Sequence, residues 1–60
     1  MDYVIIYNPT LRIVGPFSDY GKSVWWGRNW QADNGDNPCW STISFDGEPI
    51  AELRVQVERP

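Results

Sequence analysis

Histidine is absent from this sequence, and cysteine occurs once, as Cys39. A lone cysteine cannot form an intramolecular disulfide, which excludes the small secreted proteins that several disulfides hold together. Without histidine, the common cysteine–histidine zinc sites and every histidine-based catalytic triad are excluded as well. We therefore expect no metal, no cofactor and no catalytic residue, and a reducing compartment suits the free thiol.

Long apolar runs and clusters of basic residues are also missing. No apolar run approaches the roughly 20 residues that a membrane-spanning helix needs, and residues 1–3 lack the basic flank of a signal peptide. Five lysines and arginines stand against eight aspartates and glutamates, for a net charge of −3. Because nucleic-acid binding depends on clustered positive charge, the composition argues against a nucleic acid or a membrane as the partner. We expect a cytoplasmic protein.

The length of 60 residues allows one domain, because a second would have no hydrophobic core of its own. We expect residues 1–60 to form this domain, which is too small for doubly wound sheets or (β/α) barrels. The aromatic fraction is high, at 15% with four tryptophans. Large aromatic side chains supply much of the burial that a small core needs.

A β-hairpin is predicted over residues 3–14. Residues 3–7 are β-branched or aromatic throughout, and the Asn-Pro-Thr sequence at 8–10 is typical of a turn. Residues 11–14 resume the strand pattern, and we expect Gly15–Pro16 to end it.

A helix is predicted to follow. Ser18 is a suitable N-cap, because its hydroxyl can accept an early backbone N–H, and Phe17 before it can fold back on the first turn. The helix should end near Ala32 or Asp33, because residues 34–38 are rich in turn-forming types.

One face of this helix is predicted to be buried, because six positions recur at helical spacing. They are Tyr20, Ser23, Val24, Gly27, Trp30 and Gln31. The small residues Ser23 and Gly27 at the centre should let the helix approach a sheet closely. Such an approach would explain a glycine at position 27 despite its helix-propensity cost of about 1 kcal/mol.

A second hairpin is predicted over residues 39–58. Residues 39–45 alternate, with Trp40 on the face opposite to Cys39, and residues 46–49 form a turn. Residues 51–57 alternate between apolar and charged, with Val55 and Val57 toward the core. The order ββαββ predicts an α+β two-layer domain, with a mainly antiparallel four-stranded sheet and one helix packed on one face.

Few residues point to chemistry. Cys39, at the start of a strand, is better explained as a small buried hydrophobic residue than as a nucleophile or metal ligand. The sequence Asp-Asn-Gly-Asp-Asn at 33–37 places oxygen ligands close together, but it lacks the spacing and the final glutamate of a calcium loop. A turn accounts for the same residues. We therefore expect that the protein is not an enzyme.

The tryptophans of the helix suggest a binding surface. Trp25 lies off the buried face and should point outward, beside Lys22, Arg28 and Asn29, with Trp26 on its flank. Tryptophan and arginine are enriched in the energetic centres of protein interfaces. The alternative is that Trp25 lies over Arg28 and contributes only packing.

A second candidate surface lies on the sheet. Trp40, Tyr3 and Tyr7 are expected on its uncovered face, where aromatic residues often contact a partner or a second copy. Trp30, in contrast, belongs to the buried face of the helix and is predicted to be structural.

Residues 13–18 (Ile-Val-Gly-Pro-Phe-Ser), with Tyr20, Ser23 and Trp26 after them, resemble the strand–Gly-Pro-Phe–helix signature of many small bacteriophage proteins. They are also similar to one half of the peptidoglycan-binding sporulation-related repeat. That domain has two such halves and usually follows a membrane anchor, and this sequence shows neither, so the phage-like resemblance is preferred. It covers about a third of the chain. It implies an accessory protein that acts on a host component in the host cytoplasm.

Two function classes agree with these features. The first is a non-enzymatic protein-binding module, such as a phage-encoded inhibitor or adaptor, that contacts an unidentified host protein through an aromatic surface patch. The second is a structural or self-associating protein, in which the same aromatic residues form a homodimer interface.

Overall fold

The computed structural model describes residues 1–44 and 55–60. The elements of these residues are β1 (Asp2–Ile6), β2 (Arg12–Phe17), α1 (Tyr20–Asp33), β3 (Trp40–Ser44) and β4 (Val57–Glu58). The strands form one mixed sheet in the order β3-β1-β2-β4, and α1 packs on one face of it, mainly over β1 and β3. The predicted α+β class with ββαββ element order is confirmed. No helix in the described ranges is both long and apolar enough to cross a membrane.

The first hairpin forms as predicted, with β1 and β2 antiparallel. Its second strand is longer than expected, because β2 continues through Gly15 and Pro16 to Phe17. Asp2 pairs with Phe17 while Val4 pairs with Val14, so β2 carries one extra residue in a β-bulge. A bulge accommodates a proline that regular strand pairing would not, which is why the Gly-Pro sequence does not end the strand.

Gly15 is required at this bulge for two reasons. Its φ of +154° lies in a region that side-chain-bearing residues rarely adopt. A Cβ at this position would also lie 2.6 Å from Cδ2 of Tyr3 on the neighbouring strand. The bulge therefore depends on glycine at position 15.

The N-cap of α1 is Asp19, and the prediction of Ser18 was wrong. The Asp19 carboxylate accepts the backbone N–H of Lys22 at 2.8 Å, from an extended backbone conformation. A carboxylate at this position also interacts favourably with the positive end of the helix dipole, an advantage that serine lacks. Ser18 Oγ instead accepts a hydrogen bond from Lys22 Nζ at 3.1 Å. The predicted end of the helix, at Asp33, is confirmed.

The core lies between α1 and the facing side of the sheet. Its buried cluster consists of Val4, Ile6, Val14, Phe17 and Trp30. Trp26 and Trp40 are partly buried and pack against this cluster. The Phe17 and Trp26 rings lie 6.3 Å apart between centroids, at a tilt of 54°, a geometry that aromatic pairs prefer. Aromatic residues thus close the core on its helix side.

The closest approach of helix and sheet is at Gly27. A Cβ at this position would overlap the six-membered ring of Trp40, so the absence of a side chain makes room for the indole. Trp40 Nε1 also donates to Gln31 Oε1 at 2.8 Å. Ser23, fully buried one turn earlier, donates its hydroxyl to the Tyr20 carbonyl at 2.6 Å. The predicted small centre of the buried helix face is confirmed.

Tyr20 was wrongly placed on that buried face, since it is 64% exposed. It is the first residue of α1. At the end of a helix, periodicity does not tell whether the sheet still lies beneath the residue. The buried residues of the helix are Ser23, Gly27 and Trp30.

The second predicted hairpin is described only at its two ends, β3 and β4, and these two strands pair with different partners. β3 pairs antiparallel with β1, whereas β4 pairs parallel with β2 at the opposite edge of the sheet. Val57 is the partner of Ile13, which is outside the cluster beneath α1, and Val55 precedes β4 and is half-buried. The remainder of the predicted hairpin, 45–54, lies outside the described residues.

The edge strand β4 is tied to β2 by an ion pair. Arg12 Nε and Nη2 donate to the two carboxylate oxygens of Glu58, each at 2.9 Å. Both side chains remain partly exposed, at 38% and 42%. The hydrogen bonds from Arg12 lower the pKa of Glu58, and the same bonds raise the pKa of Arg12.

Replacing Gly27 with alanine should destabilise the fold, although alanine favours helix by about 1 kcal/mol. The added methyl would meet the Trp40 ring, and overpacking of this kind costs about 1–3 kcal/mol. We expect a net loss of about 1 kcal/mol and a Tm lowered by roughly 5 °C, measured by circular dichroism. Gly21→Ala is the matched control, because there a Cβ meets only an Asp19 carboxylate oxygen at 3.3 Å. Equal losses in both variants would contradict the role assigned to Trp40.

The Arg12–Glu58 pair should stabilise the fold only above acidic pH. Because the folded-state pKa of Glu58 is lowered, its contribution is complete above the unfolded-state value of 4.5 and is lost as the pH falls through the folded value. Glu58→Gln should reduce stability at about pH 7 by less than about 1 kcal/mol, as expected for a partly exposed pair. The difference between the urea midpoints of the variant and the parent should shrink steadily as the pH falls below 4.5. A loss that persists at low pH would show that packing, not charge, is responsible.

Candidate functional site

The outward side of α1 presents Trp25 among polar residues, as predicted. Trp25 is 69% exposed, and Lys22, Arg28 and Asn29 are exposed as well. These three lie three or four residues from Trp25, which makes them its neighbours on the helix surface. We call Lys22, Trp25, Arg28 and Asn29 the outer face of α1.

A groove of about 270 Å³ adjoins the outer face. It is lined by Trp25, Trp26, Asn29, Trp30, Asp33 and Asn34, and we call it the tryptophan groove. The lining residues form two rows at i, i+4 spacing, so the helix geometry itself brings them together. Trp30 is almost fully buried, Trp26 half-buried and Trp25 exposed. The three indole rings that line the groove therefore extend from the core to the protein surface.

Two asparagines of the groove are held by the helix backbone. Asn29 Nδ2 donates to the carbonyl of Trp25 and Asn34 Nδ2 donates to that of Trp30, both at 2.8 Å. These bonds direct the amide nitrogens toward the helix. The two amide oxygens are hydrogen-bond acceptors that the described residues leave unused.

One end of the groove is negatively charged. Asp33, an exposed residue, is the last residue of α1, and the last turn of the helix contains no basic residue. The C-terminus of a helix carries a partial negative charge from its unpaired carbonyl groups. Within the described ranges, Asp33 makes no ion pair. The Asp33 carboxylate and the helix dipole therefore both make the electrostatic potential at this end of the groove negative.

The second predicted surface does not form as expected. Trp40 pairs with the fully buried Ile6 and packs beneath α1, so it lies on the covered face of the sheet. Tyr3 is half-buried and alternates with the buried Val4, which places it on the opposite face. Tyr7, just beyond β1, is 57% exposed. Antiparallel partners share a face, and this pairing is what separates Trp40 from the tyrosines.

Three residues of the groove were missed as site residues. Trp30 was predicted to be structural only, and Asp33 and Asn34 were predicted to end the helix and form a turn. The 26–30–34 and 25–29–33 spacings were visible in the sequence. What the spacing does not show is that the space beside these residues stays open, since this depends on how the helix lies on the sheet.

The residues considered earlier for nucleophilic or metal chemistry take part in local hydrogen bonds. Cys39 is half-buried, and its sulfur accepts from Asn8 Nδ2 at 3.7 Å. Asp36 accepts from Gln31 Nε2 at 2.9 Å, and Asn37 Oδ1 accepts the Cys39 backbone N–H at 3.0 Å. Among the described residues no group of three potential metal ligands occurs.

Comparison with known proteins adds no relative: no protein-family model, no curated protein and no solved structure matches the chain. The function therefore has to be inferred from the outer face of α1 and the tryptophan groove themselves.

The most exposed and the most buried tryptophan of the groove, Trp25 and Trp30, should differ sharply in their contribution to stability. Trp25→Ala removes a mostly exposed side chain, and such substitutions usually change stability by about 0.5 kcal/mol or less. Trp30→Ala leaves a cavity in the core and should cost about 3–5 kcal/mol. Thermal unfolding of both variants, followed by near-UV circular dichroism, measures the difference. A large loss in Trp25→Ala would mean that Trp25 supports the fold and is not available to a ligand.

Proposed function

We propose that the chain is a non-enzymatic protein-binding module that docks through the outer face of α1 and the adjoining tryptophan groove. The observation that carries the proposal is the 69% exposure of Trp25 at the edge of a groove lined by two further tryptophans. When a partner covers a large apolar side chain that is otherwise exposed to water, the free energy of the complex falls. Tryptophan is also one of the residue types that are enriched in the energetic centres of interfaces.

The surroundings of Trp25 favour a protein as the partner. Interface centres are typically aromatic and surrounded by a polar, solvent-accessible rim. Lys22, Arg28 and Asn29 supply such a rim, and the tryptophan groove supplies a depression that a partner side chain could enter. The outer face of α1 and the tryptophan groove therefore form one proposed docking surface.

The resemblance of residues 13–18 to small phage proteins supports a narrower proposal. On this basis the partner is a host protein, and the chain is an inhibitor or adaptor that acts on it in the host cytoplasm. The absence of histidine from the sequence supports binding in place of catalysis.

Self-association is the second candidate function. It is favoured by further exposed large hydrophobic residues outside the helix, namely Met1, Tyr7 and Leu11. In a symmetric dimer the same surface of each copy forms the interface, so the exposed side chains within that surface, such as Trp25, would be covered. Size-exclusion chromatography with light scattering, over a range of concentrations, distinguishes a dimer from a monomer whose outer face is free for a different protein.

Trp25→Ala should weaken association with the partner, or with a second copy, at least about 30-fold, since a tryptophan at an interface centre contributes about 2 kcal/mol or more. The partner is first captured from host lysate and identified by mass spectrometry. The Kd is then measured for the parent and for each variant. Tyr20→Ala is the matched control, because Tyr20 is a 64% exposed aromatic residue on the same helix but outside the groove. An unchanged Kd in Trp25→Ala, or an equal loss in Tyr20→Ala, would contradict the proposed docking surface.

A further inference from the structure

The composition of the tryptophan groove identifies the chemistry of its ligand more closely, in an inference that rests on the proposed function. Among the described residues that line it, three are tryptophans, two are asparagines and the remaining one, Asp33, is the ionisable residue. We propose that the groove binds the guanidinium group of an arginine side chain on the partner protein.

The indole rings form the aromatic part of this site. The face of tryptophan attracts cations more strongly than that of tyrosine or phenylalanine. The attraction is greatest where the cation loses contact with water, and here Trp30 is almost fully buried while Trp26 is half-buried. A cation in the groove beside these rings would be partly shielded from solvent.

Asp33 and the end of α1 form the electrostatic part. A carboxylate in the last turn of a helix is repelled by the partial negative charge of the helix C-terminus. No basic residue in that turn offsets the repulsion. A cation bound at this end of the groove would interact favourably with both charges, so this position favours a positive ligand over a neutral or an anionic one.

The two asparagines of the groove also favour a ligand that donates hydrogen bonds. Because Asn29 and Asn34 direct their amide nitrogens to backbone carbonyls at 2.8 Å, their amide oxygens remain as acceptors beside Asp33. A guanidinium group has five N–H donors and no acceptor. Its donors match the carboxylate and amide oxygens at the groove.

The chain does not fill this site with a described side chain of its own. Arg28 is exposed on the outer face but is not among the residues that line the groove. The ion pair seen in the described ranges joins Arg12 to Glu58, between β2 and the edge strand β4. No basic side chain of the described residues therefore lies in the groove, and we assign its ligand to another molecule.

Arginine fits better than lysine for two reasons. Its planar guanidinium stacks on aromatic faces and can donate two parallel hydrogen bonds to one carboxylate. The lysine ammonium is more strongly hydrated and would lose more on entering the groove.

The test uses small probes on the intact chain. N-acetyl-arginine amide is titrated into ¹⁵N-labelled protein, and the indole N–H signals of the four tryptophans are followed by NMR. The matching citrulline compound, which has a similar shape and no charge, and the lysine compound are titrated in parallel. We expect saturable shifts of the Trp25, Trp26 and Trp30 signals with arginine, and little shift of Trp40, whose indole N–H is bonded to Gln31. Equal binding of citrulline or of lysine would overturn the assignment.

Two aspartate variants separate a local charge from the overall charge. Asp33→Asn should weaken binding of the arginine probe at least about fivefold. Asp36→Asn changes the net charge equally, but Asp36 does not line the groove and hydrogen-bonds to Gln31, so its effect should be less than about twofold. Equal effects of the two variants would show that the probe senses net charge and not the groove.

Failure of this inference differs from failure of the proposed function. If the arginine probe does not bind while Trp25→Ala still weakens partner association, only the arginine assignment is wrong. If the probe binds at the groove while Trp25→Ala leaves partner association unchanged, the arginine site stands and the proposed docking surface is wrong.

Discussion

The contact between Gly27 and the ring of Trp40 sets the distance between the helix and the sheet. Gly27 has no Cβ, and a Cβ at this position would overlap the indole of Trp40. For this reason α1 can lie directly against β3 and β1. This close approach lets Trp30 reach the cluster of Val4 and Ile6 beneath it. The tryptophan groove lies along the flank of α1, with the buried Trp30 and the exposed Trp25 both in its lining. The core thus depends on this contact, and so does the position of Trp30, which the core shares with the groove.

Features that depend on local sequence were predicted well. β-branched and aromatic composition identified β1 and β2, and helical spacing identified Gly27 as the point of close approach. The N-cap was misplaced because Ser18 and Asp19 are both good capping residues, and one residue's backbone conformation decides between them. The end of β2 was misplaced because a Gly-Pro pair fits either a turn or a bulge.

Features that depend on strand pairing were not predictable in the same way. Alternation shows that Trp40 and Cys39 face opposite sides, but it does not show which side the helix covers. That side follows from the pairing of Trp40 with Ile6, more than thirty positions earlier in the chain. The same limit explains why the groove was not predicted. Helix geometry places Trp25 beside Asn29, but the open space beside them depends on tertiary packing.

The parallel pairing of β4 with β2 has a consequence for the local unfolding of the sheet. β1 and β2 are joined by a short connection, whereas Ile13 meets Val57 only after most of the chain has been positioned. Contacts of such long sequence separation carry a high loop-closure entropy and tend to form late in folding. β4 contributes only two residues to the sheet, so among the described strands it should be the first to detach in native-state fluctuations. Its departure would uncover backbone N–H and C=O groups of β2, an edge to which a strand from another chain could add.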